Sequence, residues 1–135
     1  FLSNPKIDDF FYFFGGGMPG IKGYTFYESS LMGTAININS IYLRSLFLDK
    51  RYFGFRDFII FDKLSLGLIG QFGMAYQNNF EDLYENIKFS LGFELRAKGF
   101  MFYGYPAALS IEHHIPLADQ NEVSGKTYMK LLFDF

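Results

Sequence analysis

The sequence predicts an all-β fold: an antiparallel transmembrane β-barrel fragment of about five carboxy-terminal strands, preceded by a long glycine-rich loop. Three observations lead there. Half of the 135 residues are hydrophobic and 21% are aromatic, yet no stretch approaches the ~18 uninterrupted apolar residues of a membrane helix. If a membrane is crossed, strands must cross it, because only helices and closed barrels satisfy their backbone in lipid. Several segments alternate apolar and polar side chains with the period of two that places them on opposite faces of a strand. Finally, the terminal stretch 127–135 alternates and stops on an aromatic carboxyl terminus: Met129, Leu131, Phe133 and Phe135 share one face, and Tyr128, Lys130, Leu132 and Asp134 the other. The same alternation also suits a soluble antiparallel sheet with one wet face.

Composition narrows the function. A net charge of -2 gives no basic patch for nucleic acid, and with no cysteine there is neither a disulfide framework nor a thiolate metal site. The length suits one domain. The chain opens on Phe1 with no basic segment leading into an apolar core, so a signal peptide and further strands are expected to lie outside this sequence.

Taken in order, residues 1–30 are expected to be a long irregular segment. They hold Asp8-Asp9, the aromatic run from Phe10 to Phe14, and then Gly15-Gly16-Gly17-Met18-Pro19-Gly20-Ile21-Lys22-Gly23-Tyr24. Five glycines and a proline within ten residues exclude a helix interior and oppose a regular strand. Gly15, Gly17 and Gly20 match the spacing of a dinucleotide fingerprint, but that motif needs a helix straight after the turn, which Pro19, Gly20 and Gly23 oppose. The expectation is a structured loop with Lys22 at its tip; the alternative is a glycine-rich surface turn with Lys22 solvated.

Five alternating segments follow. In the first, 34–46, Ile36, Ile38 and Tyr42 oppose Asn37, Asn39 and Ser45. A connector is expected over 48–63, carrying Asp49-Lys50-Arg51 and Phe58-Ile59-Ile60-Phe61. The second strand, 64–76, sets Leu64, Leu66, Leu68, Phe72, Met74 and Tyr76 against Ser65, Gly67, Ile69, Gln71, Gly73 and Ala75. Small residues facing large ones suit a wall packed by something else, the glycine loop being the candidate. The acidic stretch 78–85 is expected to be a loop. The third strand, 87–97, alternates Ile87, Phe89, Leu91, Phe93, Leu95 and Ala97 with Lys88, Ser90, Gly92, Glu94 and Arg96. A turn is expected at Lys98-Gly99. The fourth, 106–117, sets Leu109, Ile111, Ile115 and Leu117 against Ser110, Glu112 and His114, and a polar loop over 118–126 leads to the last. Segments of about 9–13 residues exceed the usual strand of ~5–6 and suit tilted membrane-spanning strands. With the glycine loop outside the cell, the strands run down, up, down, up, down, and Phe135 ends on the periplasmic side.

The glycine loop with Ile21-Lys22-Gly23-Tyr24, the five strands after it and the terminal Phe135 resemble the carboxy-terminal part of the bacterial surface antigen family, which includes outer-membrane insertases of the BamA type and two-partner secretion translocators. The resemblance covers essentially the whole chain. It implies that residues 1–31 are an extracellular loop folding into the lumen of a sixteen-stranded barrel, and that 32–135 are its last five strands. In that family the loop carries Val-Arg-Gly-Phe/Tyr, whose Arg contacts an Asp in a Phe-x-Asp-x-Gly pattern on the second of those strands. Here Lys22 replaces the Arg, and Ile69-Gly70-Gln71-Phe72-Gly73 carries an amide in place of the carboxylate, so that ion pair cannot form. Lys22 is expected instead to hydrogen-bond Gln71 or to pair with Glu94 or Glu112, with Gly73 and Arg96 on the same wall. Met129, Leu131, Phe133 and Phe135 resemble the signal read by the barrel assembly machinery.

Catalysis is not expected. Glu112-His113-His114 is the one cluster inviting a metal, but adjacent strand residues point to opposite faces and cannot form a facial triad. Lys88, Glu94, Arg96, Glu112, Lys130 and Asp134 form a compensating wall of charge on this reading. No cofactor is expected. The resemblance implies a bacterial outer-membrane protein, with lipid, the assembly machinery, the missing amino-terminal strands and periplasmic domains, and client polypeptides as partners, acting in protein insertion or translocation. The alternatives are a passive channel or structural barrel plugged by the loop, and a soluble all-β binding domain whose apolar faces meet in a sandwich.

Overall fold

The computed structural model describes residues 12–55, 58–76, 87–102, 104–117 and 125–133. They form an all-β protein. The two short strands β1 (Phe13–Phe14) and β2 (Met32–Gly33) pair with each other, and five long strands form one antiparallel sheet in chain order: β3 (Ala35–Phe55), β4 (Ile59–Tyr76), β5 (Lys88–Met101), β6 (Tyr105–Pro116) and β7 (Lys126–Phe133). Among the described residues the sheet is not closed.

Alternation sorts the side chains as a pleated strand requires. One face, here the inner face, carries Ile69, Gln71, Ser90, Glu94, Ser110, Glu112 and His114, all buried beneath the glycine loop or beneath one another. The opposite, outer face presents Ile41, Leu43, Leu66, Leu68, Leu91 and Phe93, each at least two-fifths exposed. Over the middle of the sheet the usual polarity is thus inverted: the carboxylates of Glu94 and Glu112 are covered and Leu and Phe side chains are bare, whereas at the loop end of β3 Ile36 and Ile38 turn toward the loop and Asn37 and Asn39 are exposed.

The expected connector over 48–63 is strand instead: β3 continues to Phe55 and β4 starts at Ile59. Bulges hide this from an alternation rule. The β3–β4 register slips between Leu46 and Leu48 and again between Asp49 and Phe53, and β4 slips against β5 between Phe61 and Lys63. Extra residues in a strand reset which face its neighbours occupy, and they also blunt an edge. Lys50 takes up the strain with a φ of 56°. Nor is there a turn at Lys98-Gly99. β5 runs through to Met101, and Gly99 sits where a Cβ would lie 1.9 Å from the Ile60 carbonyl oxygen, close against the β4 bulge.

Connections differ sharply between the two ends of the sheet. Three residues separate β3 from β4 and three separate β5 from β6, and the Phe102 amide donates to the Phe58 carbonyl at 3.0 Å. At the other end the strand ends are separated by eleven residues from β4 to β5 and by nine from β6 to β7, and the glycine loop enters β3 there. The loop forms a second layer on the inner face. Ile21 N–H donates to Gly15 O at 2.7 Å, Gly15 N–H to Leu31 O at 2.8 Å, and Thr34 N–H to Tyr76 O at 2.8 Å. Ile21, Tyr24 and Leu31 pack together with Ile38 of β3. The acidic stretch 78–85, Asp134 and Phe135 lie outside the described residues.

Candidate functional site

The site is the seat of the loop on the inner face. Ile21-Lys22-Gly23-Tyr24 is buried throughout, so Lys22 is not the solvated tip of a surface turn. Tight packing explains the glycines. A Cβ at Gly20 would stand 2.0 Å from Gly15 O, and Gly23 has a φ of +99°, a conformation that L side chains rarely adopt. Beneath the loop, small wall residues make room: a Cβ on Gly73 would come within 2.9 Å of Ile21 Cδ1.

Lys22 has two of the three partners expected of it. Its backbone N–H donates to Gln71 Oε1 at 2.9 Å, and its ammonium pairs with Glu112 Oε2, with Lys22 4% and Glu112 3% exposed. Glu94 is not a partner. That carboxylate, 2% exposed, accepts from Arg44 Nε and from Ser110 Oγ at 2.8 Å, with Arg96 Nε at 3.8 Å. Arg96 therefore belongs to the Glu94 group and not to the loop. The second loop contact comes from Tyr24, whose hydroxyl donates to the Phe89 carbonyl at 2.8 Å while its ring lies under Lys88 Nζ, 5.8 Å from the centroid.

Glu112 gathers the loop and the last two strands. Lys130 Nζ of β7 binds its other oxygen at 3.0 Å, and His114 Nε2 lies 3.4 Å from Oε2. His114 is fully buried, lying over Gly92 where a Cβ would meet the imidazole at 2.5 Å, with Ser90 Oγ 3.4 Å from Nδ1. Around the two carboxylates stand four cations: Lys22, Arg44, Arg96 and Lys130. A buried carboxylate is tolerable only when so compensated. Chemically the arrangement clamps a loop to a wall.

His113 faces outward, its Nδ1 2.9 Å from Thr127 Oγ1. Thr127 is the second residue of β7, whereas His113 lies three residues before the end of β6 and in register with Phe93 of β5, so this polar pair sits within the apolar face. Among the described residues no group of three His, Cys, Asp or Glu could hold a metal ion. Met129, Leu131 and Phe133 point outward from β7.

Sequence reasoning missed Arg44 and Tyr128. Arg44 crosses β4 to reach Glu94, and the signal was Gly67, the missing side chain on the strand between them. Tyr128 was placed on the correct face, but its hydroxyl, which accepts from Gly23 N–H at 3.2 Å, had no sequence signal. No family model, curated protein or solved structure matches the chain.

Proposed function

We propose that the chain is the carboxy-terminal part of a bacterial outer-membrane β-barrel of the surface antigen type, acting in the insertion or translocation of polypeptides. The observation that carries the membrane reading is the inverted polarity of the sheet. Water-soluble monomers rarely leave contiguous apolar patches of more than a few hundred Å² uncovered, whereas this sheet covers the carboxylates of Glu94 and Glu112 and leaves a broad patch of Leu, Ile and Phe bare on its outer face. Lipid is the solvent for which that arrangement is stable.

Two further features support it. Short connections at one end and long ones at the other match the division between periplasmic and extracellular sides of outer-membrane barrels. The 14 residues of β5, at ~3.4 Å each, span more than a ~30 Å hydrocarbon core requires when tilted. Strands preceding β3 would close the sheet. A role with polypeptides rests on the resemblance of the loop and strand number, and its mechanism would be strand pairing by an incoming chain at the exposed edge of β7.

Fractionation of cells expressing the full-length gene product, followed by gels in mild detergent with and without heating, tests the reading. A heat-modifiable species in the outer membrane is the expected result. A species that partitions into water without that shift overturns the barrel. Depletion then separates the roles: loss of client assembly supports insertion or translocation, and normal assembly leaves a passive barrel plugged by the loop.

A further inference from the structure

We infer that the glycine loop is a latch on the last strand, with Glu112 and Tyr128 as its two catches. Lys22 of the loop and Lys130 of β7 bind opposite oxygens of the one Glu112 carboxylate. Beside them, the Gly23 amide donates to the Tyr128 hydroxyl at 3.2 Å, and Tyr128 is the register partner of Glu112 across the β6–β7 pair. Two consecutive loop residues thus touch both strands of the last hairpin.

This matters because β7 is weakly held otherwise. It is eight residues long and pairs only with β6 among the described strands. An edge strand with few partners opens at low free-energy cost. The loop itself is anchored elsewhere, through Ile21, Tyr24 and Leu31 against β3 and through Gln71 and Phe89 on β4 and β5. A seated loop therefore holds β7 against β6 from a base that does not move with it. Coupling of this kind is reciprocal, so a β7 that leaves β6 also loosens the loop. The functional consequence, a free strand edge exposed when the loop unseats, rests on the barrel reading above; the coupling itself does not.

Hydrogen exchange on the full chain tests this, comparing amides of 126–133 with those of 88–101. Tyr128→Phe removes the hydroxyl and keeps the ring; Lys22→Gln removes the ammonium. Exchange at 126–133 should rise about three- to tenfold in Tyr128→Phe, as loss of one hydrogen bond implies, and further in Lys22→Gln, with 88–101 unchanged. Trypsin cleavage after Lys22 should rise in Tyr128→Phe by reciprocity. Unchanged exchange at 126–133 in both variants, or an equal rise across the sheet, overturns the latch. Absence of heat-modifiability in the unsubstituted chain overturns the barrel reading alone, since the same exchange comparison still reads the coupling.

Discussion

Arg44 reaches Glu94 across the full width of an intervening strand, its Nε donating to Oε2 over the backbone of Gly67. The three residues lie in one row of the sheet, Arg44 opposite Gly67 and Gly67 opposite Glu94. Neighbouring strands stand ~4.8 Å apart, so the contact spans ~10 Å of sheet. Only a long side chain passing over a residue with no side chain can do it.

Filling that gap should break the pair. A Cβ on Gly67 would lie 3.1 Å from Glu94 Oε2 and 3.2 Å from Arg44 Cγ, so Gly67→Leu leaves no passage for the guanidinium. Glu94 would keep Ser110 and a distant Arg96, and we expect a loss of about 2–3 kcal/mol in unfolding free energy. Arg44→Gln should cost a similar amount, and the double variant little more than either, because both remove the same interaction. Additive costs would mean that Gly67 serves some other purpose.

The same row explains what could be read in advance. Period-two alternation located the five long strands and grouped the residues of each face, because it reflects the pleat itself, but in β3 polarity misleads, since Ile36 and Ile38 turn toward the loop while Asn37 and Asn39 are exposed on the outer face. It failed over 48–63, where the extra residues at Phe47 and Asp62 shift the phase and the charges of Asp49, Lys50 and Arg51 imitate a loop. The resemblance and the shared wall face offered Gln71, Glu94 and Glu112 as partners of Lys22 without choosing among them, and Glu94 is taken by Arg44 instead, since a loop's seat depends on three-dimensional reach. Arg44 stayed hidden because no pairing rule looks two strands away.

The loop's seat should fail without loss of the sheet when Gly20 acquires a side chain. Gly20→Ala puts a Cβ 2.0 Å from Gly15 O, the acceptor of the Ile21 amide, so one of two backbones must move. Trypsin, which finds Lys22 buried in the native protein, should then cut after it several-fold faster. Gly70→Ala is the control: nothing lies within 4 Å of its Cβ, and cleavage should stay at the native rate. Equal cleavage in both variants would show that the glycine knot does not govern access to Lys22.

Glu112→Gln should be more damaging alone than in company. The single substitution leaves the Lys22 ammonium buried opposite a neutral amide, at a cost of about 3–5 kcal/mol for an orphaned buried charge. Adding Lys22→Met removes the orphan, and we expect the double variant to recover at least 1 kcal/mol of that loss in denaturant unfolding. Lys130, a quarter exposed, has a route to solvent and should contribute less. A double variant worse than Glu112→Gln would place the value of Lys22 in its packing and not in its charge.

The bilayer can be read from the depth dependence of a charge on the outer face. Phe93 stands in the middle of the third long strand, whereas Leu117 lies just past the loop end of β6, and both are more than half exposed. In lipid, an Arg at the midplane costs about 2–4 kcal/mol, falling to about 0–1 near the interface. Phe93→Arg should therefore destabilise the protein folded in lipid vesicles by at least 2 kcal/mol more than Leu117→Arg. On a sheet whose outer face meets water, both are exposed surface positions and both substitutions should stay within about 0.5 kcal/mol. Small and equal costs would remove lipid as the solvent of this face.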